Sequence, residues 1–428
     1  MRGINKIVFI LLGILLFLFV GCEKKEYFKE GTPIKIWIPG DRNEYSFYYE
    51  MFDRYKEKME SEGKEFNFVI EQQPWGDYWT KLPLEVNKGR GPDLYLTHVA
   101  YIDVLSAISK ELDLDEKMLE DTFNVWDLYL GKNGKPQFIP TVFVSKVMYV
   151  NKDLWEEKFG KGNRNYPKTW EELEEVSLKL KKPGTIGFDF SYHILWDLGY
   201  QNGKLITTRD GKLNLSKIGL EIIDKWEKEG VTDYLGYGNG SSENSFLEGS
   251  SVMIYGEPWM EGWIKSSSDI NFEAFPVPGK TSVRTNSSAE ISFGINKNVE
   301  GKRYEELLDF IKFMITDEET MKCIAVVNAG VSNHKKLVKE MKYPKGSAGN
   351  IVTEEFLEKT SVISIPPSEL EETYRNMIGN YLASNTSIDY EIEQAYLLSE
   401  RVKLKRLKKM EDKFRDRVEN EDYKKGEE

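Results

Sequence analysis

The spacing of apolar and polar positions predicts an alternation of strands and helices in the first part of the chain. Apolar residues with a period of two indicate strands, whereas apolar residues three and four positions apart indicate helices. In chain order the pattern predicts strand 34–38, helix 45–59, strand 66–70, helix 77–88 and strand 93–96. This βαβαβ order predicts a mostly parallel sheet with helices on both faces, and such sheets bind ligands beyond the carboxyl ends of their strands.

A second α/β body is predicted after Pro140. Its pattern predicts strands at 141–150, 186–190, 252–255 and 272–275 and helices at 216–229 and 258–266. Thr169 is suited to cap a further helix, because it precedes a helical pattern with acidic residues in the first turn. A strand at 291–295 and helices at 305–315 and 318–327 then predict that the chain crosses back to the first body.

The two ends of the chain have patterns of their own. The tail 391–418 has apolar residues at mostly helical intervals among many charges, which predicts one long amphipathic helix with a solvated face. At the N-terminus, basic residues precede the apolar run 7–20, which is shorter than the roughly 20 residues that span a bilayer. The pattern therefore predicts a signal peptide at 1–21 and a polar tether at 22–32.

The two cysteines have different predicted roles. Cys22 ends a stretch, 18–22, that resembles a lipobox, and this resemblance implies that Cys22 carries a lipid. The chain is then expected to be a lipoprotein, anchored to the membrane on the extracytoplasmic face of the bacterial cell envelope. Cys323 is predicted on the buried face of a helix. The mature chain therefore has no intrachain disulfide, and we expect its stability to come from a large core.

Composition and charge exclude several kinds of partner. The formal net charge of −12 argues against nucleic acid and other polyanions. The three histidines are widely spaced and no paired cysteines accompany them, so we predict no metal site and no cofactor. Hydrophobic residues at 40% with 13% aromatic residues indicate a folded soluble body, which we expect to be a monomer.

Five sequence motifs follow one another in a fixed order. They are Gly91-Pro92-Asp93-Leu94, the run 147–152 with Tyr149 and Asn151-Lys152, the run 167–173 with Thr169-Trp170-Glu171, the run 246–253, and Pro276-Val277-Pro278-Gly279. Their order resembles that of the extracellular solute-binding proteins of carbohydrate ABC importers. The resemblance covers most of residues 33–330.

This resemblance implies an architecture and a function. It implies an α/β, two-lobe periplasmic-binding-protein-like fold with a ligand cleft between the lobes and a helical C-terminal extension. Together with the pattern of apolar positions, the resemblance divides the chain into a first lobe (33–140), a second lobe (141–290), a crossover back to the first lobe (291–330) and a C-terminal helical region (331–428). The implied function is to capture a sugar or oligosaccharide by lobe closure and deliver it to ABC permease subunits.

A sugar-binding site needs flat aromatic surfaces beside hydrogen-bonding groups, because a sugar has apolar C–H faces and a rim of hydroxyls. The loops after the predicted strands supply both kinds of group. The candidate ligand contacts are Asp41, Glu44, Trp75, Asp77, Tyr78, His98, Tyr192, Trp196, Trp259 and Glu290. Trp75 and Trp259 are the strongest of these, because each lies in a predicted loop beside Pro or Gly.

Structural roles stay open for some of these candidates. Helix capping is the alternative for Asp77, core packing for Tyr78 and Trp196, and an exposed loop position for His98. Other aromatic residues are predicted to pack in the core, namely Trp37, Trp155, Trp170 and Trp226.

Two other functions also stay open at this level. An anchored glycan-cleaving enzyme would use two carboxyl groups, such as Glu257 with Glu261 or Asp189. Carboxyl pairs are common by chance in a chain with 71 acidic residues, so the motif order favours a binding protein that is not an enzyme. An anchored adhesin or receptor-type lipoprotein without transport is the other alternative.

Overall fold

The computed structural model describes residues 28, 31–40, 46–238, 242–279, 283–364, 366–384 and 386–421. Cys22, Asp41 and Glu44 lie outside these described residues. The strands are β1 Ile34–Pro39, β2 Phe68–Gln73, β3 Leu94–Thr97, β4 Val142–Ser145, β5 Val147–Asn151, β6 Ile186–Phe190, β7 Ser251–Gly256, β8 Phe272–Phe275, β9 Thr285–Glu290, β10 Ser292–Ile295, β11 Val331–Ser332 and β12 Ser361–Ile363.

The helices flank these strands along the whole described chain. They are α1 Ser46–Ser61, α2 Trp75–Asn87, α3 Ile102–Leu105, α4 Glu116–Thr122, α5 Lys152–Phe159, α6 Trp170–Leu180, α7 Ile194–Gln201, α8 Ile218–Glu229, α9 Ser242–Leu247, α10 Met260–Ser267, α11 Gly301–Thr316, α12 Glu318–Val327, α13 Leu337–Glu340, α14 Ala348–Leu357, α15 Ser368–Ala383, α16 Ile388–Leu398 and α17 Lys405–Asp412.

The first lobe is built on a sheet with the strand order β10-β3-β1-β2. Strand β1 pairs in parallel with β2 and β3, which confirms the parallel βαβαβ arrangement predicted from the sequence. Strand β10 adds to β3 in the antiparallel direction. Since β10 follows the strands of the second lobe in sequence, the chain does cross back, as the pattern at 291–295 predicted.

A buried ion pair explains the Gly-Pro-Asp motif that ends before β3. The Asp93 carboxylate accepts hydrogen bonds from the Arg303 guanidinium at 2.6 and 2.8 Å and from the backbone N–H of Lys35 at 2.7 Å. Both side chains of the pair are almost fully buried. Asp93 therefore fixes helix α11 against strands β1 and β3, and its role is structural.

The second lobe is built on a sheet with the strand order β6-β7-β5-β8. Strands β6 and β7 are parallel, whereas β5 runs antiparallel to both of its neighbours. The core of this lobe includes Trp155 and Trp226, which are 1% and 0% exposed, as predicted. Trp37 of the first lobe is also buried, whereas Trp170 is only half-buried and donates a hydrogen bond from Nε1 to Gln201 at 2.7 Å.

A third sheet, here called the linking sheet, joins the lobes with the strand order β11-β4-β9-β12. It corrects the prediction of one long strand at 141–150, because β4 belongs to the linking sheet and β5 to the second lobe. The break falls at Lys146, which is in neither strand. The break cannot be predicted from the apolar run, because β-propensity does not distinguish two strands of different sheets from one continuous strand.

The return crossing contains a strained residue. Ile291 lies between β9 and β10 and has a φ of 54°, which is unusual for a β-branched side chain. Its carbonyl accepts hydrogen bonds from the N–H and the hydroxyl of Thr141, at 3.1 and 2.6 Å. The two crossing segments are therefore tied to each other where they enter the first lobe.

The C-terminal region contacts both lobes and is not the single long helix predicted at 391–418. It contains α16 and α17, separated by a non-helical segment. On one side, Glu411 is fully buried and accepts hydrogen bonds from the backbone N–H groups of Ile206 and Thr207, both at 2.8 Å. On the other side, Arg406 pairs with Asp103 of the first lobe at 2.9 Å. These tertiary contacts explain why the tail is not one continuous helix, although its apolar residues recur at helical intervals.

Two further observations concern the surface. Cys323 is exposed on α12, so the prediction that it lies on a buried face is wrong; the buried face of this helix is formed by Met321, Ile324 and Ala325. Within the described part of the chain, no helix combines the length and apolar composition needed to cross a bilayer.

Candidate functional site

The break between β4 and β5 brings a buried cation to the junction of the lobes. Lys146 is 5% exposed, and its ammonium group binds the carboxylate of Glu257, which follows β7. Burial opposes the ionisation of Glu257, but the charge of Lys146, the interaction with His193 and the hydrogen bonds from Lys146 and Trp259 together outweigh it and hold the pKa of this carboxyl well below its usual range. Glu257 is therefore a carboxylate at neutral pH.

Glu257 also fixes an exposed aromatic ring. The indole Nε1–H of Trp259 donates a hydrogen bond to the second carboxylate oxygen of Glu257. The ring of Trp259 remains 43% exposed, at the start of helix α10. Lys146, Glu257 and Trp259 thus form a chain of polar contacts that ends in a flat apolar surface.

A cluster of aromatic rings from the first lobe lies near this chain of contacts. The rings of Trp79 and Tyr101 are stacked at 4.1 Å with an angle of 2° between them. Trp75 is 41% exposed, and its ring centre lies 5.1 Å from that of Trp79 and 5.7 Å from that of His98. The first lobe therefore presents an aromatic surface next to an imidazole.

His98 connects the two lobes electrostatically. Burial lowers the pKa of His98 to about 4, with the charge of Glu257 acting in the opposite direction and that of Lys146 in the same direction. His98 follows β3 in the first lobe, whereas Glu257 follows β7 in the second. The two groups therefore interact electrostatically although they belong to different lobes.

The second lobe adds another aromatic cluster. Tyr192 and His193 have ring centres 4.1 Å apart, and His193 Nδ1 lies 4.0 Å from Glu257 Oε1. Burial holds the pKa of His193 well below its usual range. Both histidines are therefore uncharged at neutral pH and act as hydrogen-bonding groups.

Helix α15 of the C-terminal region completes the cleft. The guanidinium of Arg375 lies 4.8 Å from the ring centre of Tyr192 and donates a hydrogen bond to its hydroxyl at 3.3 Å. One turn earlier on the helix, burial raises the pKa of Glu371 to about 7. The charges of both residues also act on Tyr101 of the first lobe.

The structure brings together four of the residues predicted from the sequence, namely Trp75, His98, Tyr192 and Trp259. Asp77 is exposed in the first turn of α2, and its side chain makes no cap hydrogen bond, because the helix begins two residues earlier than predicted. Glu290 lies in β9, where its backbone pairs with Val142. The predicted contacts at Asp41 and Glu44 fall outside the described residues.

Tyr78 and Trp196 are corrections to the set of predicted ligand contacts. Tyr78 is 0% exposed, and its hydroxyl donates to the carbonyls of Leu96 and Trp37 at 2.8 and 3.3 Å. Trp196 is 3% exposed and packs edge-on against Tyr374. Both residues therefore pack in the core, which is the alternative that the sequence left open. Each lies on the buried face of its helix.

Five residues of the cleft were absent from the predicted set of ligand contacts. They are Lys146, His193, Glu257, Glu371 and Arg375. Lys146 had a signal in the sequence, because it is the one charged residue in the apolar run 142–150, and Glu257 was considered there only as a catalytic carboxyl. The roles of the other three depend on contacts between segments that are far apart in the chain.

The carboxyl groups considered for catalysis have structural partners. Asp189 is fully buried and accepts a hydrogen bond from Ser245 at 2.6 Å. Glu261 accepts one from the backbone N–H of Ala348 and pairs with Lys265, both at 2.6 Å. Glu257, with its lowered pKa, is a poor proton donor. In the part of the chain that the structure describes, no cluster of His, Cys, Asp and Glu side chains is arranged to hold a metal ion.

Comparisons with known proteins agree on one family. The profile described as bacterial extracellular solute-binding protein matches residues 50–339. A binding protein of Brucella abortus (strain 2308) is 25% identical over 288 residues, covering 61% of this chain and 68% of that protein. The maltooligosaccharide ABC transporter solute-binding lipoprotein of Streptococcus pneumoniae (strain R6) is 26% identical over 268 residues, covering 56% of this chain and 59% of that protein.

Solved structures show the same fold. MalX from Streptococcus pneumoniae, in complex with maltopentaose, superposes with a TM-score of 0.69 at 18% identity, covering 86% of this chain and 99% of that one. The cyclic α-maltosyl-1,6-maltose binding protein from Arthrobacter globiformis gives a TM-score of 0.67 at 15% identity, covering 86% and 97%. These similarities confirm the predicted α/β, two-lobe periplasmic-binding-protein-like fold.

Proposed function

Because the chain belongs to the bacterial extracellular solute-binding proteins, we propose that it captures a sugar or oligosaccharide for an ABC importer. A relative is a maltooligosaccharide ABC transporter solute-binding lipoprotein, and a structural neighbour holds maltopentaose. The chemistry of the cleft supports the same class of ligand, since it combines aromatic faces with hydrogen-bonding groups. The protein is then a binding component and not an enzyme.

The observation that carries this proposal is the placement of two exposed tryptophans on different lobes. Trp75 lies beside His98, and Trp259 is held by Glu257. His98 and Glu257 interact electrostatically although they belong to different lobes, which supports a shared site for the two indole surfaces. Exposed aromatic rings of this kind stack on the C–H face of a sugar, while neighbouring polar groups bind its hydroxyls.

Capture by closure follows from the way the lobes are joined. The crossing strands β4 and β9 pair with each other in the linking sheet, and Ile291 at the end of β9 has a strained backbone. Hinges are formed by a few loop or element-terminal residues that absorb backbone rotation, and Ile291 lies at such a position. A saccharide that contacts both lobes binds the closed state more tightly and therefore shifts the population toward it.

Anchoring and delivery complete the proposal. The family is extracellular, so the protein works outside the cytoplasm. The lipobox-like stretch at 18–22 supports attachment of a lipid to Cys22, and the closed monomer would then pass its ligand to the permease subunits of the importer. Replacing Cys22 with Ala should release the chain from membranes while ligand binding is kept.

A thermal-shift screen tests the proposed function. A panel of neutral oligosaccharides, uronate-containing sugars, amino acids and peptides is added to the chain that lacks residues 1–22, and the melting temperature is measured. A ligand at 100 times its dissociation constant stabilises the native state by about 2.7 kcal/mol. Stabilisation by at least one saccharide is expected, whereas stabilisation by amino acids or peptides alone would assign the cleft to another class of solute.

A further inference from the structure

We propose that helix α15 forms a third wall of the ligand site, where Glu371 and Arg375 bind neighbouring hydroxyl groups of a neutral saccharide. This inference rests on the proposed function and specifies its ligand. Helix α15, Ser368–Ala383, lies beyond residues 50–339, which match the family profile. The C-terminal region of this chain would thus contribute to ligand selection as well as to stability.

The positions of the two side chains support a common binding surface. Residues four apart lie on the same face of a helix, so Glu371 and Arg375 are neighbours on α15. Both interact with Tyr192 of the second lobe, Glu371 through a hydrogen bond and Arg375 through its hydrogen bond and its position over the ring. Their charges also reach Tyr101 in the first lobe. The pair therefore faces the space between the lobes.

Helix α15 is held firmly against the second lobe. Its residues Leu370, Tyr374, Met377 and Ile378 are buried in the core of that lobe. The ring of Tyr374 packs against that of Trp196 at 5.8 Å. A polar pair on a packed helix is preorganised, so little conformational entropy is lost when it binds a ligand.

The chemistry of the pair suits two adjacent hydroxyls. A guanidinium only donates hydrogen bonds and a carboxylate only accepts them, whereas a hydroxyl does both. Two neighbouring hydroxyls can therefore accept from Arg375 and donate to Glu371 at the same time. Such charge-assisted bonds are stronger than bonds between neutral groups.

The charges around Glu371 favour a neutral ligand. Among the described residues that interact with it, Lys146 and Arg375 are cations, and Glu257 is an anion. When Glu371 is ionised, the two positive and two negative charges of this group cancel. His98 and His193 add no charge, because both are uncharged at neutral pH. A uronate or an amino sugar would bring an unbalanced charge into the site, which carries a desolvation penalty.

A dependence of affinity on pH follows from the same arrangement. Burial raises the pKa of Glu371 to about 7, against the charges of Lys146 and Arg375. Hydroxyl donors stabilise the ionised form, so a bound saccharide lowers this pKa and affinity rises with pH through 7. The groups that face Glu371 are Lys146, Glu257, Tyr192, Tyr101 and Arg375. The pKa values of the two tyrosines are raised and that of Glu257 is lowered, so these three do not titrate near neutrality.

Calorimetry with the strongest neutral oligosaccharide from the panel tests the inference. Wild type, Glu371→Gln, Arg375→Gln and the control Glu372→Gln are titrated between pH 6 and 8. Glu372 is an exposed residue on the same helix. We expect each cleft variant to bind about tenfold more weakly at pH 8. Wild type and the control should lose affinity as the pH falls, and Glu371→Gln should not.

Wild-type affinity in both cleft variants would overturn the inference, as would a pH dependence that persists in Glu371→Gln. Tighter binding of a uronate-containing oligosaccharide than of its neutral counterpart would also overturn it. In each of these cases saccharide binding itself is observed, so the proposed function stands. Failure of every saccharide to bind wild type would instead remove both proposals.

Discussion

The Trp259 indole N–H donates a hydrogen bond to the Glu257 carboxylate, and this bond determines how an exposed aromatic ring is presented to the cleft. Glu257 is itself held by Lys146, whose ammonium is buried at the break between β4 and β5. The residue between β4 and β5 therefore supports a surface of the second lobe. Because β4 belongs to the linking sheet, this support lies where the lobes are joined.

Loss of Lys146 should destabilise the protein. Lys146→Met leaves the partly buried carboxylate of Glu257 without its cation, and removing one partner of a buried ion pair costs on the order of 3 kcal/mol. The double variant Lys146→Met/Glu257→Gln should recover most of this loss, since neither charge is then present. Urea unfolding monitored by circular dichroism measures the free energies of unfolding.

An exposed ion pair provides the matched control for this prediction. Lys265→Met removes a pair with Glu261 in which the lysine side chain is 62% exposed, and such pairs contribute about 1 kcal/mol or less. Equal destabilisation by Lys146→Met and Lys265→Met would contradict the structural role assigned to the buried pair.

The break at Lys146 also shows what the sequence can and cannot predict. The βαβαβ order, the strands at 186–190 and 272–275 and the return to the first lobe were predicted, because each depends on local periodicity. The division of 141–150 between two sheets was not, because both halves have the same apolar composition. Lys146, which pairs with Glu257, lies at this division.

A buried residue of helix α14 should make stability fall as the pH rises. Burial raises the pKa of Glu355 to about 8, although its carboxyl accepts a hydrogen bond from Ser145 at 2.7 Å. Since this pKa is higher in the folded than in the unfolded state, folding favours the protonated form. The associated stability is present at low pH and is lost as the pH rises from about 4.3 through 8.

Glu355→Gln tests this expectation, because glutamine has nearly the same shape as glutamate but has no carboxyl group that titrates. Relative to this variant, the free energy of unfolding of wild type should decline between pH 5 and 8 by at most about 1.4 kcal/mol per pH unit. Glu354→Gln, at an exposed position on the same helix, should behave like wild type. Parallel pH profiles for wild type and Glu355→Gln would show that Glu355 does not carry the effect.

The C-terminal region should be anchored mainly to the second lobe. Glu411 is buried and accepts hydrogen bonds from Tyr200 at 3.0 Å and from two backbone N–H groups. Glu411→Ala leaves these donors without an acceptor, so a loss of about 3 kcal/mol or more is expected. On the side of the first lobe, Asp127 pairs with Lys409 and Lys413 at 3.2 and 3.1 Å, and its side chain is 34% exposed.

Asp127→Ala is therefore expected to cost about 1 kcal/mol or less, and less still at high salt. Thermal or urea unfolding of the two variants at low and high ionic strength compares the two attachments. A larger loss for Asp127→Ala than for Glu411→Ala would reverse the assignment of the main anchor.

The sequence says less about the ligand contacts than about the fold. Trp75, His98, Tyr192 and Trp259 stay predicted contacts, proposed because aromatic and imidazole groups at strand ends are candidates on chemical grounds alone. Tyr78 and Trp196 were candidates on the same chemical grounds, but the packing of their helices buries them. Glu371 and Arg375 reach the cleft only because the C-terminal region folds back onto the second lobe, which no local pattern indicates.

Calorimetric titration of Trp259→Ala with the best oligosaccharide tests the central claim most directly. Trp226→Ala is the control, because Trp226 is fully buried whereas Trp259 is 43% exposed. We predict that Trp259→Ala binds at least about tenfold more weakly, with a ligand-free melting temperature near that of wild type. Trp226→Ala should lose about 3 kcal/mol or more of stability through its cavity. Wild-type affinity in Trp259→Ala, or destabilisation as large as that of Trp226→Ala, would contradict the account.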